Sequence, residues 1–545
     1  DKVTDKWAKS GNNWYYLDNN GEMAVDQLIE DGDNYYYVDV NGVMAANQWV
    51  AIDNEDAGQD DEPEHYWYYF QANGKALKQG DGSTLSLKTV NGKKYAFDDE
   101  GKMLYGWVAA DNAERIDDTD GDAFKDGDYY FGGEDDGAMT TGWLLMDITY
   151  DEATSDYEIA PAFNEDEDQS RWFYFKSNGK KVKADNGDVQ KSKTINGKKY
   201  EFDENGAMTA EWSLDVKAAS RAGVRDKYST ATTNNNASTA QYTHLWRYFN
   251  SVEDGSRVSK GWFKVVAAEY MNYNKNNDDE DAWYYADGNG RIYTAEFKTI
   301  KGKKYAFYED GRMVNGLKFI KQDNTGAIIH EGVKADDNTG HPFDTEDGFT
   351  ENAPYWEAQG YYCYYFGGSD DGAMKTNKTN ITIDGDNFNF YFQKSGSHKG
   401  AGVTGEKDKK YYQSGMLLKA GSDEKYQVIK SLDRAYDAND DGDALAGYKK
   451  LDDVKAFLDE VGVTSKTDPS SVTLSSYGIS KKAADVDELY IIPEKDTDNQ
   501  TVAGKYFLVN TSGSVVKSKS RNKDGNDYYY CVNSAGNIIA IYTEK

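Results

Sequence analysis

The chain is poor in most of what a compact enzyme is built from. Its 545 residues include two cysteines, Cys363 and Cys531, six prolines and five histidines. The cysteines stand far apart with no partner ligand at metal spacing, so neither a disulfide nor a thiolate metal centre is expected. Both lie among Tyr and Phe and read as small buried hydrophobes. The histidines, His65, His244, His330, His341 and His398, fall mostly in variable stretches, with no His-Glu-x-x-His and no second His at ligand spacing. A Gly-x-Ser-x-Gly elbow and a phosphate loop are also missing. Positive charge is in deficit, 62 Lys and Arg against 95 Asp and Glu, for a formal net charge of -33. Such a field repels nucleic acid and anionic lipid surfaces over a Debye length, so DNA and RNA binding are disfavoured and no nucleic-acid partner is expected. With so many carboxylates an acid and base pair could be found anywhere, so their presence does not argue for catalysis. No apolar run reaches the roughly 18 residues of a membrane span, so no membrane insertion is expected. The start, Asp1-Lys2-Val3-Thr4, lacks a signal-peptide pattern and reads as a mature or trimmed end.

Aromatic residues are abundant: 44 Tyr, 21 Phe and 12 Trp, with 52 Gly. A chain with few Leu and Ile must fill its interior with rings, which suits stacked hairpins better than an α/β enzyme. The rings recur at a period of about 105 residues. Thr89-Val90-Asn91-Gly92-Lys93-Lys94-Tyr95-Ala96-Phe97 returns as Thr194-Ile195-Asn196-Gly197-Lys198-Lys199-Tyr200-Glu201-Phe202 and as Thr299-Ile300-Lys301-Gly302-Lys303-Lys304-Tyr305-Ala306-Phe307. A worn copy, Lys409-Lys410-Tyr411-Tyr412, follows. Trp67-Tyr68-Tyr69-Phe70 is echoed by Trp172-Phe173-Tyr174-Phe175 and Trp283-Tyr284-Tyr285, and Tyr129-Tyr130-Phe131-Gly132-Gly133 by Tyr364-Tyr365-Phe366-Gly367-Gly368. Fixed-period self-similarity marks units that bury their apolar faces only by stacking, so the expected fold is all-β, an elongated solenoid of β-hairpins. Asn-Gly pairs such as Asn73-Gly74, Asn178-Gly179 and Asn205-Gly206 supply the positive φ of tight turns. Alternation puts Trp14 and Tyr16 on one face and Tyr15 and Leu17 on the other.

The organisation expected is N-terminal hairpins over 1–84, repeat units over 85–190, 191–297 and 298–420, an insertion over 421–500 and C-terminal hairpins or a cap over 501–545. Acidic, polar connections at Asp53 to Glu64, Asp151 to Gln169, Lys217 to Ala240 and Lys321 to Pro354 read as loops standing off the stack. In the insertion, Leu445, Tyr448, Leu451, Val454, Leu458 and Val461 recur at three- and four-residue steps and predict one amphipathic helix.

The segment Gly11-Asn12-Asn13-Trp14-Tyr15-Tyr16-Leu17-Asp18-Asn19-Asn20-Gly21-Glu22-Met23-Ala24 resembles the cell-wall-binding repeats of Gram-positive surface proteins. These comprise the choline-binding modules of pneumococcal surface proteins, the glucan-binding repeats of streptococcal glucosyltransferases and the combined repeats of clostridial toxins. Gly106-Trp107, Gly142-Trp143 and Gly261-Trp262 match the Gly-Trp that opens a repeat, worn to Gln48-Trp49, Glu211-Trp212 and Gly316-Leu317 elsewhere. The resemblance covers most of residues 7–418 and resumes from 504. It implies a non-catalytic, secreted surface protein whose partners are cell-wall teichoic acid, choline or polysaccharide. It also implies three-ring cages shared by consecutive hairpins. The matching positions are Trp14, Tyr16, Trp49, Trp67, Tyr69, Trp107, Trp143, Trp172, Tyr174, Trp212, Trp246, Trp262, Trp283 and Tyr285.

Two further expectations come from the residues. Most of these rings should be core, with a minority left as stacking platforms for a sugar face or a cation. Asp437-Ala438-Asn439-Asp440-Asp441-Gly442-Asp443 resembles the first half of a calcium loop, making Asp437, Asn439, Asp441 and Asp443 candidate Ca2+ ligands beside the alternative of an ordinary acidic loop. No cofactor is otherwise required. Tandem Lys-Lys-Tyr reads as solvated strand chemistry. The competing functions are a stalk or fibre subunit, self-assembling or holding protein partners, with every ring internal, or an adhesin binding host or dietary glycans.

Overall fold

A computed structural model of the chain describes residues 2–148, 168–185, 188, 190–215, 239–269, 271–335 and 340–545. Two of the expected loops, Asp151 to Gln169 and Lys217 to Ala240, lie almost wholly outside the described residues. The described chain is mostly strand, arranged as small antiparallel sheets in sequence order. Lys6–Ser10 pairs with Asn13–Leu17, Gln27–Asp31 with Asn34–Val38 and Gln48–Asp53 with His65–Phe70. The pattern continues through Leu87–Val90 with Lys93–Ala96, Trp107–Val108 with Tyr129–Tyr130, Gly142–Ile148 with Gln169–Phe175 and Lys191–Ile195 with Lys198–Phe202. Glu211–Leu214 with Trp246–Phe249, Gly261–Val266 with Asp281–Ala286 and Glu296–Ile300 with Lys303–Phe307 follow. Each hairpin is named below by its span, for example 142–175.

One turn recurs after the second strand. The Asp18 carboxylate accepts the backbone N–H of Asn20 at 2.8 Å and of Glu22 at 2.9 Å, and Gly21 at φ 72° turns the chain so that Met23 bridges back to Leu17. This is an Asx turn, in which a short acidic or amide side chain replaces the missing backbone partner. Asp39, Asp98, Asp203 and Asp287 repeat it. The residue after the turn then bonds to the hairpin before. Met44 N–H donates to the Trp14 carbonyl, Met103 to Trp67, Met139 to Lys94, Met208 to Trp172 and Met313 to Trp283, each at 2.7 to 2.8 Å. Each hairpin therefore carries the first hydrogen bond of the next, and the units stack in sequence order. The methionine side chain lies under the turn glycine of the following hairpin: a Cβ on Gly42 would sit 2.8 Å from Met23 Sδ, and one on Gly74 2.5 Å from Met44 Sδ.

The core is a string of separate ring-rich clusters between neighbouring hairpins, and Phe70, Phe97, Phe175, Phe202 and Phe307, on or just past their hairpins' second strands, are wholly buried. Cys363 and Cys531 are free and buried, as expected.

Two expectations about helices need correction. The connection from Lys321 to Pro354 is not a loop: Ile328–Lys334 is a strand on Leu317–Gln322, and Glu346–Ala358 is a helix. Thr345 caps that helix by accepting the Gly348 N–H, and Phe349, Ala353 and Trp356 bury one face of it. The expected helix from Leu445 to Val461 is confined to Val454–Val461, where Asp453 accepts the Ala456 N–H as N-cap and Gly462 at φ 81° ends it. Tyr448 lies instead on the strand Gly447–Lys450, opposite Ser431.

From Leu317 the two-stranded pattern gives way to larger sheets, the first a three-stranded one in which Leu317–Gln322 pairs with both Ile328–Lys334 and Tyr362–Tyr365. Asn377–Ile383 and Asp386–Phe392 join Met416–Leu417, Lys410–Gln413 and Gly405–Lys407 in five strands. Tyr506–Asn510 pairs with Tyr426–Leu432, and Val486–Ile491 with Ile538–Glu544, so the strands of 421–500 and 501–545 are interleaved.

Candidate functional site

Register and stacking place four residues together at each junction between hairpins. Trp143 on the first strand of hairpin 142–175 pairs across with Tyr174, and Trp172 stands two residues before that tyrosine. Hairpin 191–202 contributes Tyr200 and, after its turn, Met208, whose N–H holds the Trp172 carbonyl. The ring centroids lie 6.2 Å apart for Trp143 and Trp172 at 90°, and 4.9 Å apart for Trp143 and Tyr200 at 67°. Trp143, Trp172, Tyr200 and Met208 line a pocket of about 190 Å³ that Glu253 and Asp254 complete from the turn of the hairpin after next.

The same set recurs. Trp262, Trp283, Tyr305 and Met313 form it between hairpins 261–286 and 296–307, with Trp262 centroids 6.4 Å from Trp283 and 4.8 Å from Tyr305. Trp49, Trp67, Tyr95 and Met103 form it between 48–70 and 87–96, with Trp49 and Tyr95 at 4.9 Å. Trp7, Trp14, Tyr36 and Met44 form it between 6–17 and 27–38, with Trp7 and Tyr36 at 5.0 Å. Three of the four carry paired carboxylates on the turn of the hairpin after next. Trp67 Nε1–H donates to Asp135 at 2.9 Å, with His65 Nε2 2.7 Å from the same oxygen, and Trp283 Nε1–H donates to Asp370 at 2.9 Å, with Lys264 at 3.1 Å. These bonds hold the Asp135 and Asp370 carboxyls below the usual range. Burial, joined by the charges of Asp136, Asp254 and Asp371, pushes the Tyr95, Tyr200 and Tyr305 phenols up. Rings with negative faces and a nearby carboxylate make a site for a cation with an apolar shell.

The candidate rings thus separate by place. Trp14, Trp49, Trp67, Trp143, Trp172, Trp262 and Trp283 belong to the cages, and Trp14 is 39% exposed. Tyr16, Tyr69, Tyr174 and Tyr285 each pack about 5.1 Å behind the tryptophan opposite them in register. Trp107, Trp212 and Trp246 are 2 to 3% exposed and stand in the core. Missed in the sequence were Trp7, the tyrosines Tyr36, Tyr95, Tyr200 and Tyr305, the methionines and the carboxylates. The tyrosines of the repeated Lys-Lys-Tyr close three of the cages, and their 105-residue spacing, shared with Trp67 and Trp172, was the available signal.

At the junction of 107–130 and 142–175 the cage is filled from within. Lys181 stands where the methionines do, under the Gly206 turn, with its ammonium 5.0 Å from the Trp107 ring and donating to the Phe124 carbonyl. Burial pulls its pKa down to about 7. The unfolded chain binds this proton up to the ordinary value of 10.5, so Lys181 costs stability at neutral pH and the cost fades as pH rises from about 7 to 10.5. Lys181→Met is expected to stabilise the fold by about 1–4 kcal/mol at pH 7. Its advantage should shrink toward pH 10, as thermal unfolding of both proteins across that range would read.

The calcium candidates are engaged by ion pairs and turn hydrogen bonds. Asp437 is held by Lys430 at 2.9 Å and Lys505 at 3.8 Å. Asn439 accepts the N–H groups of Asp441 and Asp443, the same Asx turn that Asp18 makes, and Asp441 and Asp443 ride on it. The Asp-x-Asn-x-Asp-Gly pattern is here the hairpin turn, and among the described residues no group of three His, Cys, Asp or Glu side chains is arranged to hold a metal.

Residues 3–49 match the family described as the choline-binding repeat, a span that contains the whole of the first cage. Glucosyltransferase-S of Streptococcus mutans serotype c is 26% identical over 341 residues, 56% of this chain and 20% of that protein, so the chain spans about a fifth of that relative's length. Among solved structures, choline binding protein F of Streptococcus pneumoniae aligns with 77% of this chain and 100% of its own at 16% identity and a TM-score of 0.25. The modular autolysin LytC of Streptococcus pneumoniae, solved with a synthetic peptidoglycan ligand, aligns with 59% of this chain and 51% of its own at 17% identity and a TM-score of 0.27. The N-terminal hairpins of this chain are thus similar to the choline-binding repeat.

Proposed function

We propose that this chain is a secreted, non-catalytic attachment module of a Gram-positive cell surface, an elongated stack of hairpins that binds choline-decorated teichoic acid or polysaccharide through its Trp-Trp-Tyr-Met cages. The observation that carries this reading is the open cage of Trp143, Trp172, Tyr200 and Met208, with Glu253 and Asp254 at its edge. A quaternary ammonium has methyl groups for the rings and a charge for the carboxylates, and it needs no hydrogen bond. One such contact supplies about 0.5 to 2 kcal/mol per ring. Several cages on one chain raise the avidity for a polymer that repeats its cation. In the cages at 48–70 and 261–286, His65 with Asp135 and Lys264 with Asp370 bring an internal cation to the edge, which argues for unequal sites.

Titration calorimetry with choline tests the proposal. Saturable binding is expected, and Trp172→Ala should weaken it at its cage about 5- to 30-fold, the effect of roughly 1 to 2 kcal/mol. Absence of choline binding by the intact chain would overturn the reading. A second reading, an α-glucan ligand stacked on the same rings, is favoured by the alignment with glucosyltransferase-S, and glucan oligomers in the same titration separate the two.

A further inference from the structure

The junction that follows the open cage inverts the cage's chemistry. Between hairpins 191–202 and 211–249 the four register positions hold Ser192, Lys199, Arg247 and Arg257 in place of Trp, Trp, Tyr and Met. The geometry is the same: Arg257 N–H donates to the Lys199 carbonyl at 2.7 Å, as Met208 does to Trp172, and the Arg257 side chain lies under the turn at Gly290. Arg257 is tied by Nε to Ser259 at 3.1 Å and by Nη2 to the Gly288 carbonyl at 3.4 Å.

Arg247 is the least satisfied of the set. Its side chain is 18% exposed, its Nε is shielded from solvent with no hydrogen-bond partner, and its ion pair with Asp215 is long, at 3.8 Å. The same Asp215 oxygen is taken at 2.7 Å by Arg291, which also donates to the Leu245 carbonyl. The Glu201 carboxylate beside Arg247 already accepts Ser213 at 2.6 Å and Gln190 at 3.0 Å. Burial first, and the Arg247 charge next, press the Arg257 and Arg291 guanidinium groups below their ordinary pKa. Three guanidinium groups gather here against Asp215, Asp287 and Glu201, the last with its carboxyl pushed up to about 7 by burial, and with Arg247 Nε left over the set has room for a further anion.

We propose that Arg247 and Arg257, with Lys199 at the rim, bind a phosphate group. The chain would then read two charges of one polymer, a quaternary ammonium in the ring cages and a phosphate ester at the arginine junction. This rests on the wall-polymer reading above for the source of the phosphate, though not for the site itself.

The test is titration of the whole chain with inorganic phosphate, choline and phosphocholine, comparing Arg247→Gln, Arg257→Gln and Trp172→Ala. Phosphate is expected to bind the unaltered chain, and Arg247→Gln to weaken it at least 10-fold with choline binding unchanged, while Trp172→Ala weakens choline and spares phosphate. Arg257→Gln stands in should Arg247→Gln lose its near-ultraviolet circular dichroism. Phosphocholine binding tighter than inorganic phosphate assigns the site to an ester of the polymer, and equal binding assigns it to free phosphate. No phosphate binding, or binding that neither arginine change alters, overturns the proposal. Loss of choline binding alone would overturn the cage reading and leave this one standing.

Discussion

Trp212→Ala should unfold the junction between hairpins 211–249 and 261–286 while leaving the N-terminal hairpins intact. Trp212 is 3% exposed, and its ring packs 5.0 Å from Tyr284, 5.1 Å from Tyr248 and 5.5 Å from Phe263. Its indole N–H donates to the Val266 carbonyl at 2.7 Å. Truncation removes the ring that joins two hairpins, leaves a cavity and strips a carbonyl of its partner, for about 3–5 kcal/mol from the ring and about 1–3 kcal/mol from the orphaned group. In an array whose units touch mainly their neighbours, that loss stays local, so one melting temperature would misreport it. Hydrogen exchange is the suitable measurement. Protection should vanish over 211–214, 246–249 and 261–286 and persist over 6–38. Trp14→Ala, at a ring 39% exposed, should leave protection at 211–214, 246–249 and 261–269 untouched and cost less than Trp212→Ala, with the loss confined to its own hairpin and the next. Uniform loss along the chain in Trp212→Ala would mean that the hairpins unfold as one body.

Hairpins, turns and the ring-filled interior were legible because each is written locally. An Asx-Gly turn needs only four or five adjacent residues, and alternation along a five-residue strand fixes which rings face which side. The same economy leaves two readings at Asn439, where turn and metal loop ask for the same oxygen side chains and the same glycine, and the bonds to Asp441 and Asp443 are those of the turn. The cages were half legible. Trp143 and Trp172 share a hairpin and could be paired from the sequence, but Tyr200 comes from the next hairpin and Glu253 from the one after. Nothing near Trp143 in the sequence points to residues so far along the chain. The helix Glu346–Ala358 was hidden by its own composition: Gly348, Asn352 and Pro354 read as loop, and the buried Phe349, Ala353 and Trp356, with Pro354 itself buried beside them, give too short a stripe to outweigh that.

Gly402→Ala is expected to be far more costly than Gly42→Ala, although both residues stand at the same kind of junction. Gly42 has φ 78°, which costs an L-residue about 1–2 kcal/mol, and a Cβ there meets Met23, a flexible side chain 48% exposed that can swing into solvent. Gly402 occupies the position of the stacking methionines, bridging Phe392 and giving its N–H to the Cys363 carbonyl at 2.7 Å. Where earlier junctions hold a methionine under a turn glycine, here the backbone of Ser414 and Gly415 lies directly against the Gly402 Cα, because Met416–Leu417 has joined Asp386–Phe392 as a further strand. A Cβ at 402 would collide with the Ser414 carbonyl, and no rotamer relieves a clash with backbone. The choice of glycine over methionine at this position is what lets Met416–Leu417 pair with Asp386–Phe392 in the five-stranded sheet. Gly402→Ala should therefore cost about 3 kcal/mol or more and expose Asp386–Phe392 and Met416–Leu417 to exchange. Met23→Ala should rescue the steric part of Gly42→Ala, and no side-chain substitution should rescue Gly402→Ala.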